Sequence, residues 1–143
     1  MKSADSDDRT ATRILVVDDD PNMRGVLVEV LRHAGYRVDA VEDGFAGWDA
    51  LSTDRYDLLI TDYSMPDLTG VELIQRLRAA GRGLPCVLAS GALPYLTPNL
   101  PDELQPGVTL QKPFRPRELV AKVDTMLRAN VLTGGRPRVL VPA

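Results

Sequence analysis

The chain has 143 residues, enough for one folded domain that needs no disulfide or metal to stabilise its core, and we expect no second domain. Its formal net charge of −3 argues against direct nucleic-acid binding, because phosphate contacts require clustered lysine and arginine. A single cysteine excludes an internal disulfide, and no apolar stretch is long enough to span a bilayer. We therefore expect a cytoplasmic protein that does not contact membranes.

The ends of the chain differ from its middle in composition. The first twelve residues, MKSADSDDRTAT, are polar and acidic and lack the basic start and apolar core of a signal peptide. We expect residues 1–12 to be a disordered N-terminal lead-in, residues 13–130 to form the folded domain, and residues 131–143 to be a C-terminal tail.

Five short runs predict five β-strands, and three of these, the first, third and fourth, are continuous in apolar residues, as strands buried on both faces are. The second run instead alternates apolar with polar residues, which is typical of an edge strand with one wetter face. The predicted strands cover residues 14–17, 36–40, 58–60, 86–89 and 108–110.

Helical spacing of apolar residues follows most of these strands. Asp20 and Pro21 supply a cap and a first-turn proline for the first helix, which ends before Gly35, and Pro116 begins the last helix. The fourth crossover helix should be short or irregular, because four prolines interrupt it. The inward-facing residues predicted for the first two helices are Met23, Val26, Leu27, Val30, Leu31, Phe45, Trp48 and Leu51.

Strands that alternate with helices in this way predict an α/β fold. Right-handed crossovers would build a (βα)₅ doubly wound five-stranded parallel sheet with helices on both faces. We expect the strand order 2-1-3-4-5, in which ligands bind at the carboxyl ends of the strands, where the order reverses between strands 1 and 3.

Charged and polar side chains follow four of the predicted strands. Asp18 and Asp19 follow strand 1, Asp62 follows strand 3, Ser90 follows strand 4 and Lys112 follows strand 5. The neighbouring carboxylates would repel one another, so the pattern favours a hard divalent cation such as Mg²⁺. An aspartate at such a site can attack phosphorus when a metal and a lysine stabilise the charge, and Asp62 is the candidate.

Taken together, these residues resemble the receiver domain of two-component response regulators. The resemblance rests on the acidic pair Asp18 and Asp19 after ILVV, on Asp62 in LLITDYSMP followed by Gly70, on Ser90, and on the run Lys112, Pro113 and Phe114. It covers residues 13–129, and the joint occurrence of these motifs in this order makes it specific.

The resemblance implies a function for each of these residues. Asp62 would accept a phosphoryl group, Lys112 would pair with Asp62 or its phosphate, and Ser90 would bond the phosphate and shift a conformational equilibrium. Mg²⁺ would be held by Asp19, Asp62 and the backbone carbonyl of Ser64, with Asp18 assisting through water. The Lys112–Pro113 bond is expected to be cis.

The resemblance also implies partners. The donor would be a histidine kinase or a histidine phosphotransfer protein, and an unknown downstream protein would read the result. The chain would be a monomer or weak homodimer and no enzyme, apart from catalysing its own phosphorylation and dephosphorylation. It would be a stand-alone regulator or part of a hybrid kinase.

Two alternatives remain open, and one residue departs from the family pattern. The chain could be a degenerate receiver that acts as a phosphorylation-independent binding module. Less well supported is an aspartate-nucleophile phosphatase, because such enzymes carry a second acid two residues after the nucleophile, where this chain has Ser64. Thr109 stands where the family usually has an aromatic switch residue, so we hypothesise that signalling proceeds by ordering of residues 91–106.

Overall fold

A computed structural model describes residues 11–91 and 100–132 of the chain. Five parallel strands form one sheet in the order β2-β1-β3-β4-β5, which confirms the predicted fold class and strand order. Most of the predicted lead-in and tail lies outside the described residues. The strands are β1 (Arg13–Val17), β2 (Arg37–Val41), β3 (Leu58–Asp62), β4 (Cys86–Ser90) and β5 (Gly107–Gln111).

Four α-helices are described, together with one short 3₁₀ helix in the fourth crossover. The 3₁₀ helix covers Asp102–Leu104, as the prolines of that segment predict, while residues 92–99 lie outside the described part of the chain. The last helix continues two residues past the predicted boundary at residue 130. The α-helices are α1 (Pro21–His33), α2 (Gly44–Thr53), α3 (Gly70–Ala79) and α4 (Pro116–Leu132).

Local sequence signals fix where the helices begin. The Asp20 carboxylate accepts a hydrogen bond from the Asn22 backbone N–H and so caps α1, as predicted. Thr69 and Glu72 form a reciprocal capping box at the start of α3, which satisfies two backbone donors that the helix itself leaves unpaired. Beyond the end of α1, Gly35 has a φ of 103°, which glycine adopts at little cost.

The core lies on both faces of the sheet because side chains alternate along each strand. Ile14 and Val16 of β1 pack on one face with residues of α1 and α4. Leu15 and Val17 pack on the other face with residues of α2, α3 and the 3₁₀ helix. This two-sided burial explains why β1, β3 and β4 contain continuous apolar runs.

The predicted inward face of α2 is wrong at Phe45, whereas Leu51 is buried as predicted and Trp48 packs partly buried against the core. Gly44, Gly47 and Leu51 are the buried residues of this helix, whereas the Phe45 side chain is 50% exposed and Trp48 is only partly buried. A count of apolar side chains could not detect this face, because glycine carries no side chain and yet allows the helix to approach the sheet closely.

Two smaller predictions about the first half of the chain are also wrong. Val26 of α1 is 46% exposed, although Leu27 and Leu31 of the same helix are buried as predicted. The alternation of the edge strand predicted Ala40 on the same side as Tyr36 and Val38, which are buried, but Ala40 is exposed. Within residues 11–91 and 100–132, no helix is both long and apolar enough to cross a bilayer.

Candidate functional site

Three carboxylates meet at the carboxyl ends of β1 and β3, which are neighbours in the sheet. Asp18 and Asp19 come directly after β1, and Asp62 is the last residue of β3. One carboxylate oxygen of each residue lies within 4.8 Å of the others. Three hard oxygen donors this close together fit Mg²⁺, which prefers carboxylates and keeps several waters.

Lys112 reaches this acidic cluster from the end of β5. Its Nζ donates to Asp62 Oδ1 at 2.8 Å and also lies 3.5 Å from Asp18 Oδ2. Burial by itself lowers the pKa of Lys112, but the hydrogen bond to Asp62 and the charge of Asp18 outweigh it, so the pKa is raised. Lys112 therefore stays positively charged at neutral pH and offsets part of the charge of the cluster.

Asp18 is the most deeply buried of the three acids, with 1% of its surface exposed. Burial raises its pKa, while a hydrogen bond from the Asp20 backbone N–H and the charge of Lys112 act in the opposite direction. The Asp20 N–H lies 2.9 Å from Asp18 Oδ1. Asp18 is thus held in a fixed orientation at the base of the cluster.

Arg24 belongs to this region, although the sequence analysis did not identify it. Its Nη1 donates to the backbone carbonyl of Asp18 at 2.8 Å, which ties the first turns of α1 to the loop that carries the two acids. A pattern of charged residues could have suggested that Arg24 contacts an acid, but the acceptor is a backbone carbonyl, which leaves no mark in the sequence.

The remaining predicted residues lie around the cluster. Ser90 is buried at the end of β4, the strand next to β3, and its backbone carbonyl accepts from the Lys112 N–H at 2.9 Å. Ser64 is exposed two residues after Asp62. The Lys112–Pro113 bond is cis, as expected. Thr109 is buried and paired with Leu88 in the β4–β5 register.

This arrangement combines the parts that phosphoryl transfer to a carboxylate needs. Asp62 could supply a nucleophilic oxygen, the neighbouring acids could supply metal ligands, and Lys112 lies where its positive charge would offset developing negative charge. The site is polar and lies at the carboxyl ends of the strands.

Comparisons with known proteins point in the same direction. The family model described as the response regulator receiver domain matches residues 14–124. The DNA-binding response regulator MtrA of Mycolicibacterium smegmatis is 36% identical over 123 residues, which are 86% of this chain and 54% of MtrA. The response regulator receiver protein CpdR of Brucella abortus is 36% identical over 118 residues, which are 82% of this chain and 98% of CpdR.

Among solved structures, the receiver domain of the sensor histidine kinase PA1611 from Pseudomonas aeruginosa is similar in fold, with a TM-score of 0.71 and 28% identity. The match covers 82% of this chain and 98% of that one, and that structure is described with a magnesium ion coordinated in its active-site cleft. The chain spans only about half the length of several relatives that it matches, MtrA among them.

Proposed function

This chain belongs to the response regulator receiver domain family, and from that premise we propose that it takes a phosphoryl group onto Asp62 and thereby switches conformation to control a partner protein. The observation that carries the proposal is the contact of 2.8 Å between Lys112 Nζ and Asp62 Oδ1, beside the two acids that follow β1. A lysine, a candidate nucleophilic carboxylate and candidate metal ligands thus lie together at the carboxyl ends of the strands.

In the proposed reaction, a carboxylate oxygen of Asp62 attacks the phosphorus of a phosphohistidine. The new O–P bond forms as the N–P bond of the donor breaks, and the imidazole leaves with that electron pair and takes a proton from solvent. Asp62 becomes an aspartyl phosphate, and no residue of this chain needs to act as a general base.

The surrounding residues orient the phosphoryl group and offset its charge. Asp19, Asp62 and the backbone carbonyl of Ser64 would hold Mg²⁺, with Asp18 assisting through water. When bound, Mg²⁺ neutralises charge on the phosphoryl oxygens. Lys112 would bond one phosphoryl oxygen and the Ser90 hydroxyl another, and the movement of Ser90 toward the phosphate would bias the conformational equilibrium.

The donor in this proposal is a histidine kinase or a histidine phosphotransfer protein, and the target is a further protein. The expected absence of direct nucleic-acid contact stays a prediction, since MtrA is described as DNA-binding and this chain matches only about half of it. Three further expectations also stay predictions. They are that residues 13–130 form the receiver domain, that the protein is cytoplasmic, and that it is a monomer or weak homodimer.

Asp62→Asn tests the proposal, because the amide removes the nucleophilic oxygen with little change of shape. Wild type and variant are incubated with Mg²⁺ and a small phosphodonor, and their intact masses are measured. We expect the wild type to gain one phosphoryl group and the variant to gain none.

Asp67→Asn is the matched control, since Asp67 is an exposed acid of the same loop and its φ of 69° suits asparagine. It should be labelled like the wild type. A wild type that gains no phosphoryl group while other receivers are labelled would contradict the proposal and favour a binding module. Rapid multiple turnover of a phosphate ester would instead favour a phosphatase.

A further inference from the structure

The loop of residues 63–69 connects Asp62 to α3 and carries Ser64, whose backbone carbonyl is proposed to bind Mg²⁺. Its first backbone groups are fixed by hydrogen bonds. The Tyr63 N–H donates to the Ala89 carbonyl at 2.8 Å, and the Tyr63 carbonyl accepts from the Gly70 N–H at 3.1 Å. Within the loop the Leu68 N–H donates to the Pro66 carbonyl at 2.7 Å, a local bond that does not connect the loop to the rest of the fold, so packing also positions it.

Gly70 brings the end of the loop directly against the acceptor residue. A Cβ atom added to Gly70 would lie 2.2 Å from the backbone carbonyl oxygen of Asp62 and 2.9 Å from Leu88 Cδ1. Real Cβ atoms do not approach backbone this closely, so α3 begins in contact with Asp62 only because residue 70 has no side chain.

Gly44, the first residue of α2, holds the same loop from the other side. A Cβ atom added there would lie 2.6 Å from the Leu68 carbonyl oxygen and 2.7 Å from Leu68 Cβ. Both atoms belong to the loop near its backbone, so rotation of the Leu68 side chain could not relieve the overlap. The start of α2 therefore limits how far the loop can move outward.

The helix that carries Gly44 is itself seated on the strand that leads to the acidic pair. A Cβ atom on Gly47 would lie 2.9 Å from Val17 Cγ2, and Val17 is the last residue of β1, directly before Asp18. Contacts at Gly44 and Gly47 thus connect the loop that carries Ser64 to the strand that carries Asp18 and Asp19.

We propose that Gly44 is a positioning residue for the Mg²⁺ site: its bare backbone lets α2 hold the loop of residues 63–69 at the distance from the β1 acids that binding of one metal ion requires. The inference rests on the proposed function. Mg²⁺ demands near-ideal octahedral geometry, so a displaced carbonyl ligand costs affinity. Residues that orient metal ligands commonly change affinity 10- to 100-fold when mutated.

The test is Gly44→Ala in the full chain. Its Mg²⁺ dissociation constant is measured by calorimetric titration at low temperature and by the rise of melting temperature with Mg²⁺ concentration. We expect an affinity about 10-fold or more below that of the wild type. Leu68→Val removes the Cδ atoms of the side chain that packs against Gly44, so it should loosen the same contact, weaken Mg²⁺ binding as well, and serve if Gly44→Ala does not fold.

Two controls separate positioning from loss of stability. Gly25→Ala adds a Cβ to an exposed site of α1 with no atom within 4 Å, and it should bind Mg²⁺ like the wild type. Leu51→Val weakens the core contacts of α2 two turns beyond Gly44, and it should lower the melting temperature without changing Mg²⁺ affinity.

The outcomes distinguish the inference from the function on which it rests. If the wild type binds Mg²⁺ and is phosphorylated, but Gly44→Ala and Leu68→Val bind Mg²⁺ as tightly, the positioning role of Gly44 is wrong and the proposed function stands. Equal losses of affinity in Leu51→Val and Gly44→Ala would also overturn the role. A wild type that neither binds Mg²⁺ nor is phosphorylated refutes both.

Discussion

At the scale of single residues, the site is defined by a balance of charge. Three carboxylates face one lysine, and Lys112 is close enough to contact both Asp18 and Asp62. When no metal ion is bound, Lys112 therefore offsets part of the negative charge that the ion would otherwise offset. Lys112 and a bound cation should accordingly compete for the same negative charge.

Lys112→Met tests this competition, because methionine keeps much of the side-chain length and removes the charge. We expect the metal-free variant to lose about 2 kcal/mol of unfolding free energy, since buried carboxylates lose their partner. Its Mg²⁺ affinity should rise about tenfold. Thermal unfolding with and without Mg²⁺ measures both effects.

The matched control is Lys122→Met, which removes the same charge from the middle of α4, outside the acidic cluster. It should leave Mg²⁺ affinity unchanged. An unchanged or weaker Mg²⁺ affinity in Lys112→Met would show that Lys112 does not compete with the metal.

A second group of interacting side chains, Arg13, Asp39 and Tyr56, lies away from the acidic cluster, toward the other end of the sheet. The Tyr56 hydroxyl donates to Asp39 Oδ2 at 2.7 Å, and Arg13 Nη2 donates to the same oxygen at 2.8 Å. The Tyr56 hydrogen bond, more than the Arg13 contact, lowers the pKa of Asp39. Burial, and then the hydrogen bond to Asp39, raises the pKa of Tyr56 to about 12.

These pKa shifts predict how the effect of Tyr56→Phe on the free energy of unfolding depends on pH. The stabilisation tied to the lowered pKa of Asp39 is present above about pH 4 and is lost as the pH falls through that pKa. The stabilisation tied to the raised pKa of Tyr56 is present below about pH 10 and is lost as the pH rises toward 12. Between about pH 4 and pH 10, we expect Tyr56→Phe to lower the free energy of unfolding by only about 0.5 kcal/mol, because the Asp39 side chain is half exposed.

Urea unfolding at a series of pH values measures this difference. The double variant Tyr56→Phe/Asp39→Asn completes a mutant cycle that isolates the pairwise energy. A difference between wild type and Tyr56→Phe that is the same at pH 3 and pH 7 would contradict the assigned role of the hydrogen bond.

At the scale of secondary-structure elements, α3 holds the segments that precede β4 and β5 through one side chain. The Arg78 guanidinium donates to the backbone carbonyls of Arg82 and Leu84 at 3.0 and 2.8 Å. It also donates to the carbonyls of Leu104 and Pro106, each at 2.9 Å. Arg78 thus pairs backbone carbonyls in both loops, and the Pro106 carbonyl also accepts from the Cys86 N–H at 3.1 Å.

Arg78→Lys should therefore destabilise the protein, because an ammonium group cannot reproduce the planar fork of five donors. We expect a loss of about 2 kcal/mol, the usual cost of leaving partly buried acceptors unpaired. Chemical denaturation measures it.

Arg76→Lys is the control on the same helix, since Arg76 is exposed and lies 5.6 Å from the Phe45 ring centroid. It should change stability by no more than about 0.5 kcal/mol. Equal effects of the two substitutions would show that the carbonyl contacts of Arg78 do not stabilise the fold.

At the scale of the whole molecule, a five-stranded open sheet has two edges that could pair with another copy. Arg37 and Val41 of β2 bond toward β1, so the alternate residues Val38 and Ala40 turn their backbone groups outward. Arg32 Nη2 donates to the outward Val38 carbonyl at 2.9 Å. At the other edge, the Leu100 N–H donates to the Gly107 carbonyl at 3.3 Å.

Arg32→Ala should expose the Val38 carbonyl and favour self-association through β2. One newly available hydrogen bond is worth about 1 kcal/mol, so we expect association about fivefold tighter than in the wild type. Sedimentation velocity over a range of concentrations measures it. Arg37→Ala on the exposed face of β2 should behave like the wild type, and if Arg32→Ala does so as well, Arg32 does not protect the edge.

The sequence alone determined the sheet and the residues at its carboxyl edge. A parallel strand buried on both faces must be continuously apolar, so the runs that end at Val17, Ile60 and Ala89 could be placed without coordinates. The predicted order placed Asp18, Asp62 and Lys112 at the same end of the sheet, because the carboxyl ends of parallel strands lie together, and the structure shows that their side chains meet there.

Only the tertiary structure decided how that edge is held in place. Besides Leu51, which the sequence predicted, Gly44 and Gly47 form the buried face of α2, and a pattern based on side chains cannot detect residues that lack them. Arg24 and Arg78 bind backbone carbonyls, and every residue offers a carbonyl, so no sequence spacing marks the partner. The spacing of apolar residues shows which side chains are buried. It does not show where two backbones approach closely or which carbonyl a side chain binds, because these depend on which segments meet in the folded chain.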